Sequence, residues 1–224
     1  MMELSPRLSM IEALIDGTAR CFGDVGTDHA HLPISCIQHG RCQTAIASDI
    51  NPGPLARAEQ NIRAYGLSKQ IELRLCPGLS GYKAGECDWT AICGMGGYLI
   101  CDILSAALKN HGIAEGQSFV ISPHTNEKQV RAFLYASGFR ILQENACEDA
   151  NHVYLGIACV YDGVTREISN VDAMVGCSNI LPVCYYDNLL RKVRKRLSGL
   201  ATGSKANCEE VAFLQDVIRK VESL

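Results

Sequence analysis

The sequence predicts an α/β fold in which a mostly parallel, seven-stranded sheet carries helices on both faces. Short apolar runs of strand length alternate with helix-length segments over roughly the first 150 residues, as in parallel α/β sheets. Turn residues and acidic residues directly follow several of these runs, at the edge where such sheets bind ligands. The pattern then changes to two amphipathic segments, which predict a C-terminal helical hairpin. We therefore expect a catalytic domain over residues 1–163, followed by a linker and hairpin over residues 164–224.

The composition is that of an ordinary globular protein, with 47% hydrophobic and 20% charged residues among 224. We see neither an apolar run of membrane-spanning length nor the apolar core of a signal peptide, so we expect a cytoplasmic protein without a membrane partner. We also expect a monomer. The net charge of −3 divides into −6 over residues 1–182 and +3 over residues 183–224. This asymmetry weakly indicates a polyanionic partner.

Twelve cysteines are present, but none are spaced as C-x-x-C, and most lie inside apolar runs. They are expected to be free thiols that pack as small hydrophobic side chains. Asp28, His29 and His31 offer three potential metal ligands within four residues. Because no other segment shows ligand spacing, we expect no metal site.

Each predicted element has a local signal. Ser5 can cap a first helix with Pro6 at its first position, and Asp16 and Gly17 end it. The predicted strands are Ala19–Phe22, Thr44–Ile50, Ile71–Cys76, Trp89–Cys93, Ser118–Ser122, Phe139–Ala146 and Val153–Val160. The helices between them are Leu32–Ile37, Leu55–Tyr65, Tyr98–Leu108 and Glu127–Ser137. The last two strands form a hairpin, so we expect an antiparallel edge.

The turn after the first strand is the centre of the predicted site. Gly26 allows the backbone to approach a ligand closely, and the turn has too few glycines for a dinucleotide fingerprint. Acidic residues such as Asp28 suit a cationic or zwitterionic ligand, for example the methionine moiety and sulfonium of S-adenosylmethionine. The alternative is an ordinary turn in which Asp28 caps the next helix.

Two further strand ends add to this site. Asp49 ends the second strand, 25 residues after Asp24, where a carboxylate can accept both ribose hydroxyls of an adenosine cofactor. A solvated loop aspartate is the alternative. Gly94, Gly96 and Gly97 follow the fourth strand and leave room for a close approach, although a flexible turn would explain them too. Met95 stands where a nucleophile elbow would need a serine.

The C-terminal segment predicts two helices joined by a loop at Gly199–Asn207. The first has one apolar face, and its other face carries the basic run Arg191, Lys192, Arg194, Lys195 and Arg196. Val211, Leu214, Ile218 and Val221 line the second helix. The basic run is either a solvated face or a set of phosphate contacts.

Taken together, these motifs resemble the bacterial tRNA (adenine-N1)-methyltransferases that modify adenine 22 in the D-arm. The resemblance covers nearly the whole chain and rests on Leu4–Leu8, Asp24–Pro33, Asp49–Leu55, Gly94–Gly97 and the hairpin. It implies a Rossmann-like domain that binds S-adenosylmethionine, and a coiled-coil-like tail that helps to hold tRNA.

The resemblance also assigns site residues. Those expected at the cofactor are Arg7, Asp24, Gly26, Asp28, His29, Asp49, Ile50, Asn51, Gly78, Leu79, Cys93, Gly94 and Met95. Those expected at the substrate are Gly96, Gly97, Pro123, His124, Tyr154, Arg191, Lys192, Arg194 and Lys195. Asp28 is the catalytic candidate, as an acceptor for the exocyclic amine of the target adenine.

The sequence departs from the family pattern at several positions. Pro77 stands where the family usually has Asp, Ser122-Pro123-His124 replaces Gln-Pro-Asn, and His152 and Leu155 replace a Lys and a Glu. Two alternatives therefore stay open: a methyltransferase with a non-RNA substrate, and an inactive protein that binds cofactor and RNA. A nicotinamide dehydrogenase is the least favoured, because the phosphate-binding glycines are missing.

Overall fold

The structure, a computed structural model, describes residues 2–177, 181–201 and 208–224. These residues form one seven-stranded sheet in the order β3-β2-β1-β4-β5-β7-β6. The strands are β1 (Ala19–Val25), β2 (Cys42–Asp49), β3 (Ile71–Leu75), β4 (Trp89–Gly96), β5 (Ser118–Thr125), β6 (Phe139–Asp149) and β7 (His152–Tyr161). The helices are α1 (Pro6–Ala13), α2 (His31–Gln38), α3 (Pro52–Ala64), α4 (Gly97–Lys109), α5 (Glu127–Ala136), α6 (Asn170–Val175), α7 (Val183–Ala201) and α8 (Cys208–Glu222).

The sheet is parallel from β3 to β5, whereas β7 pairs antiparallel with both β5 and β6. The predicted seven strands and the antiparallel edge are thus confirmed. Alternate residues of each central strand point to opposite faces, as the pleat requires. On β5, Val120 faces a core shared with α1–α3, while Phe119 and Ile121 face a second core shared with α4, α5 and the C-terminal helices.

Several strands are longer at their carboxyl ends than the sequence predicts. The strand β1 reaches Val25, and β5 reaches Thr125. The strand β4 continues to Gly96 through register shifts around Met95, so the predicted glycine loop is an irregular strand end, and α4 begins at Gly97. These extensions were missed because glycine and proline normally end strands, whereas here neighbouring strands continue the hydrogen-bonded ladder.

The C-terminal hairpin is confirmed, with differences at its connections. A short helix, α6, lies within the segment predicted to be a linker, and it packs on α5 and α8. The helix α7 runs to Ala201, so the first residues of the predicted loop are helical, while residues 202–207 lie outside the described part. The division at residue 163 stays a prediction. No helix in the described ranges is long and apolar enough to cross a membrane.

A buried ion pair, which the sequence did not reveal, joins the sheet to the C-terminal helices. Arg131 Nε of α5 lies 2.6 Å from Glu144 Oε1 of β6, and both side chains are fully buried. The guanidinium also donates to Ala173 O (3.0 Å) and Tyr185 Oη (3.1 Å), and Cys177 N donates to Glu144 Oε2 (2.6 Å). We call these five residues the Arg131 joint.

Candidate active site

Two cavities lie at the carboxyl ends of the central strands, where the strand order reverses between β1 and β4. The larger cavity, of about 690 Å³, is mostly apolar. Of the site residues predicted from the sequence, those that line this cavity are Gly26, Asp49, Ile50, Gly78, Leu79 and Met95. The smaller cavity, of about 340 Å³, is mostly polar. The predicted site residues that line the smaller cavity are Arg7, Asp24, Gly26, Asp28, His29, Cys93, Gly94 and His124.

Gly26 is the residue that both cavities share. It has φ +76°, and a methyl group at this position would collide with the Met95 side chain. The backbone turn and the thioether of Met95 therefore meet between the two cavities. A side chain larger than hydrogen on residue 26 would both strain the turn and displace Met95.

The smaller cavity contains a buried carboxylate, that of Asp24 at the end of β1. Asp24 is 8% exposed, and no residue of the described part of the chain forms an ion pair with it. Burial raises the pKa of Asp24 to about 6, Thr27 and Arg7 oppose this rise, and Asp49 adds to it. A carboxylate that is costly to ionise, facing a cavity, is suited to binding a cation.

The β1–α2 turn holds Asp28 and His29 at the mouth of the smaller cavity. The Asp28 carboxylate is 76% exposed, and its Oδ1 lies 3.1 Å from His29 Nε2. His29 and Ala30 both have a positive φ, and Ala30 is the N-cap of α2 without any side-chain hydrogen bond. The alternative in which Asp28 caps this helix is therefore wrong, and its carboxylate is available to a ligand.

A cluster on the opposite wall joins α1 to the ends of β5 and β7. Arg7 Nη1 lies 3.1 Å from His124 Nε2, and its guanidinium lies 5.3 Å from the centre of the Tyr154 ring. Because arginine can only donate, Nε2 must accept, and the His124 ring is neutral with its proton on Nδ1. Burial lowers the pKa of His124, and the charges of Arg7 and His152 lower it further.

Asp49 and Asn51 lie beside the larger cavity at the end of β2. Asn51 N donates to Asp49 Oδ1 over 2.7 Å, which orients the carboxylate while its other oxygen stays available. Only Asp49 of these two lines the cavity. Ile50, between them, has 64% of its surface exposed and forms part of the rim.

The two cavities fit the chemistry of S-adenosylmethionine. An adenosine needs an apolar slot and an acceptor for its ribose hydroxyls, which the larger cavity and Asp49 offer. An amino-acid moiety needs an anion and a cation, which Asp24 and Arg7 offer in the smaller cavity. Glycine at position 94 leaves the smaller cavity open beside the Arg7 guanidinium, because a methyl group there would lie 3.3 Å from Arg7 Nη1.

Other predicted substrate residues lie outside both cavities. Gly97 has a packing role, because a Cβ there would lie 2.5 Å from Thr125 O. The four predicted cations of α7 are exposed, and two of them have partners. Arg194 pairs with Glu222 of α8 (3.1 Å), and Arg191 donates to Asn188 (2.8 Å). The hairpin therefore neutralises part of its own basic face.

Some lining residues were missed by the sequence predictions. The smaller cavity also contains Leu8, His31 and Leu32, and the larger one contains Tyr82 and a face of α4. Of the two histidines in the β1–α2 turn, the sequence predicts only His29 as a site residue, and it offers His31 only as a potential metal ligand. In the described part of the chain, no group of three or more His, Cys, Asp or Glu could hold a metal ion.

Comparisons with known proteins agree with this geometry. A family model described as a methyltransferase domain matches residues 4–157. The tRNA (adenine(22)-N(1))-methyltransferase of Bacillus subtilis is 29% identical over 171 residues, which is 73% of this chain and 71% of that protein. A Streptococcus agalactiae protein of the NADB-Rossmann superfamily is 29% identical, with a TM-score of 0.83 over 99% of this chain and 96% of its own.

A third relative was solved with a ligand. M. capricolum TrmK, in complex with S-adenosyl-homocysteine, is 26% identical, with a TM-score of 0.78 over 100% of this chain and 97% of its own. The family model alone covers well over half of the sequence. The chain therefore belongs to the methyltransferase domain family.

Proposed function

We propose that this protein transfers a methyl group from S-adenosylmethionine to N1 of adenine 22 in the D-arm of tRNA. The observation that carries the proposal is the pair of cavities meeting at Gly26, in a chain 29% identical to an enzyme of that activity. The proposal includes a cytoplasmic, monomeric enzyme.

The chain's own residues would position the cofactor, which supplies an electrophilic methyl group when bound. Asp49 would accept the ribose hydroxyls, while Asp24 would bind the ammonium group and Arg7 the carboxylate of the methionine moiety. The two cavities would thereby fix the methyl group near Gly26 and Met95. Alignment of nucleophile and methyl group is the main source of rate in such a displacement.

Adenine N1 carries an in-plane lone pair, so a strong base is unnecessary. As N1 is methylated the ring becomes cationic, and an acceptor for the exocyclic amine would stabilise that charge. Asp28 fits this role because its exposed carboxylate lies at the mouth of the smaller cavity. His124, neutral and held by Arg7, would present a donor to the same base. The adenine must leave any base pair in order to enter.

The basic face of α7 would contact tRNA phosphates. Lys192 and Lys195 are exposed, and neither has an ion-pair partner among the described residues. Arg191 and Arg194 would contribute once they exchange their present partners for phosphate.

The test is transfer of a tritiated methyl group from S-adenosylmethionine into unmodified tRNA, followed by nucleoside analysis. We expect 1-methyladenosine at position 22, and no incorporation when that adenine is replaced by guanine. Replacing Lys192 and Lys195 with Gln should raise KM for tRNA about threefold to tenfold, because phosphate contacts are lost. Cofactor binding without transfer to tRNA would contradict the proposed substrate.

A methyltransferase with a non-RNA substrate is the second candidate, favoured by the departures at Pro77 and His124. In that case the double lysine variant would act like the wild type on its true substrate. An inactive protein would bind S-adenosylmethionine and tRNA without methylating any nucleoside.

A further inference from the structure

We propose that Asp102 of α4 accepts a hydrogen bond from the 6-amino group of the cofactor's adenine and so selects adenine at this site. The inference rests on the proposed function, because it assigns the purine end of the same cofactor. Asp102 lines the larger cavity, away from the turn that holds Asp24 and Asp28.

The position of Asp102 follows from the helix that carries it. The helix α4 begins at Gly97, at the carboxyl end of β4. Leu99, Asp102, Ile103 and Ala106 recur at helical spacing and line the larger cavity together. One continuous face of α4 is thus a cavity wall, and Asp102 is its acidic member.

The opposite wall is the segment after β3, and it approaches α4 closely. A methyl group on Gly78 would lie 3.0 Å from Ile103 Cγ2, so the segment and the helix nearly touch beside Asp102. The stretch Cys76–Ser80 contributes cavity-lining residues but contains no carboxylate. A purine held between these walls therefore depends on α4 for an anionic acceptor.

Asp102 is chemically free to serve as that acceptor. Asp102 is exposed, lines the cavity, and makes no hydrogen bond or ion pair with any residue in the described ranges. A carboxylate can only accept hydrogen bonds at neutral pH, whereas the 6-amino group of adenine donates. The two groups are complementary, and a purine without that amino group would leave the carboxylate without its partner.

The placement of the two cavity carboxylates suits an adenosine. Asp49 ends β2, and α4 follows β4; these strands flank β1, two strand spacings or roughly 10 Å apart. Asp49 and Asp102 therefore lie on different walls. An adenosine has its ribose hydroxyls at one end and its 6-amino group at the other, so it offers a donor to each carboxylate.

Asn110 is the competing acceptor on the same wall. It follows Asp102 by eight residues, which is about 12 Å along a helix. Its amide can donate as well as accept, so it would tolerate either a 6-amino or an acceptor group at that position. Selectivity for the amino group therefore distinguishes Asp102 from Asn110.

The test measures, by calorimetry, the affinity of the wild type and of each variant for two ligands. One ligand is S-adenosylhomocysteine, and the other is its analogue that carries unsubstituted purine in place of adenine. The wild type should prefer S-adenosylhomocysteine about tenfold, as expected for a hydrogen bond to a charged acceptor. Asp102→Ala should lose that preference while binding the purine analogue as the wild type does, which also shows that the variant is folded. The matched control, Asp49→Asn, should weaken both ligands and keep the preference.

Each outcome is decisive. A tenfold preference that survives in Asp102→Ala would overturn the inference and leave the proposed function intact. A wild type that binds both ligands equally would overturn it as well. A wild type that binds neither ligand would overturn the proposed function itself.

Discussion

Two buried carboxylates, Asp24 on the inner strand β1 and Glu144 on the edge strand β6, differ in the partners that the protein gives them. Glu144 is 3% exposed, and in the Arg131 joint it lies 2.6 Å from the Arg131 guanidinium and 2.6 Å from Cys177 N. Asp24 is 8% exposed, faces a cavity and has no ion-pair partner in the described part of the chain. Burial raises the pKa of Asp24 to about 6.

The difference separates structural from ligand-binding polar groups. A buried charge without a partner destabilises the fold, so it is retained where a ligand supplies the partner. A buried charge with all its partners in the protein fixes how elements pack. Removing one partner leaves the other charge buried and unpaired, and its desolvation then lowers the stability of the fold. Changes at the joint should therefore affect stability, whereas changes at the cavities should affect binding and turnover.

The largest expected effect is on stability, from Arg131→Met. It leaves Glu144 buried without its cation, which should lower the free energy of unfolding by about 3–5 kcal/mol. Urea denaturation measures this directly. At a temperature where the variant is folded, affinity for S-adenosylhomocysteine should change by less than about twofold, because the sites are distant.

The control for this prediction is Arg63→Met, which breaks an exposed helical ion pair with Glu59 (2.5 Å). It should cost at most about 0.5 kcal/mol. Equal losses in the two variants would contradict the structural role of the joint.

The next effect is on turnover, from Asp28→Ala. Loss of the acceptor for the exocyclic amine should lower kcat for tRNA methylation about 100-fold. Affinity for S-adenosylmethionine should stay within about threefold, because Asp24 and Asp49 remain. Single-turnover methyl transfer together with calorimetry separates the two quantities.

Asp16→Ala is the matched control. Asp16 is an exposed carboxylate before β1, at the edge of the sheet opposite to the cavities, and its loss should leave kcat unchanged. If Asp28→Ala methylates tRNA at the wild-type rate, the role assigned to Asp28 is wrong.

Most of the fold could be predicted from the sequence because its signals are local. Alternating apolar runs located all seven strands, and Ser5 accepts a hydrogen bond from Leu8 N, as its position before Pro6 predicted. The strand ends were predicted less well. Whether Met95 lies in a loop or a strand depends on pairing with Pro123, a partner far away in the sequence.

The site was predicted only in part, because some of its residues are brought together by contacts between segments that are far apart in the sequence. Residues that follow strands, such as Asp49, were located by topology alone. Arg7 and His124 are 117 positions apart, and only the fold shows that they are hydrogen-bonded. The Arg131 joint gave no signal, because an Arg in an amphipathic helix is normally expected at the surface.

The most direct test of a ligand-binding role for the Asp24 carboxylate is the affinity for S-adenosylhomocysteine between pH 5 and pH 7.5, measured in the wild type and in Asp24→Asn. With a pKa of about 6, Asp24 is ionised at pH 7, so wild-type affinity should fall roughly tenfold as the pH drops to 5. The variant should bind weakly at every pH. Because native Asp24 takes up its proton at a higher pH than an unfolded aspartate, wild-type stability falls as the pH rises from about 4 to 6.

An asparagine at this position carries no charge, so Asp24→Asn removes the cost of ionising a buried carboxyl group. The variant should therefore have a free energy of unfolding at pH 7 that is higher by about 1–3 kcal/mol. Weaker binding in a protein of equal or greater stability would show that the Asp24 carboxylate is kept for the ligand. A variant that is less stable than the wild type, yet binds S-adenosylhomocysteine with the same affinity and the same pH dependence, would contradict the account.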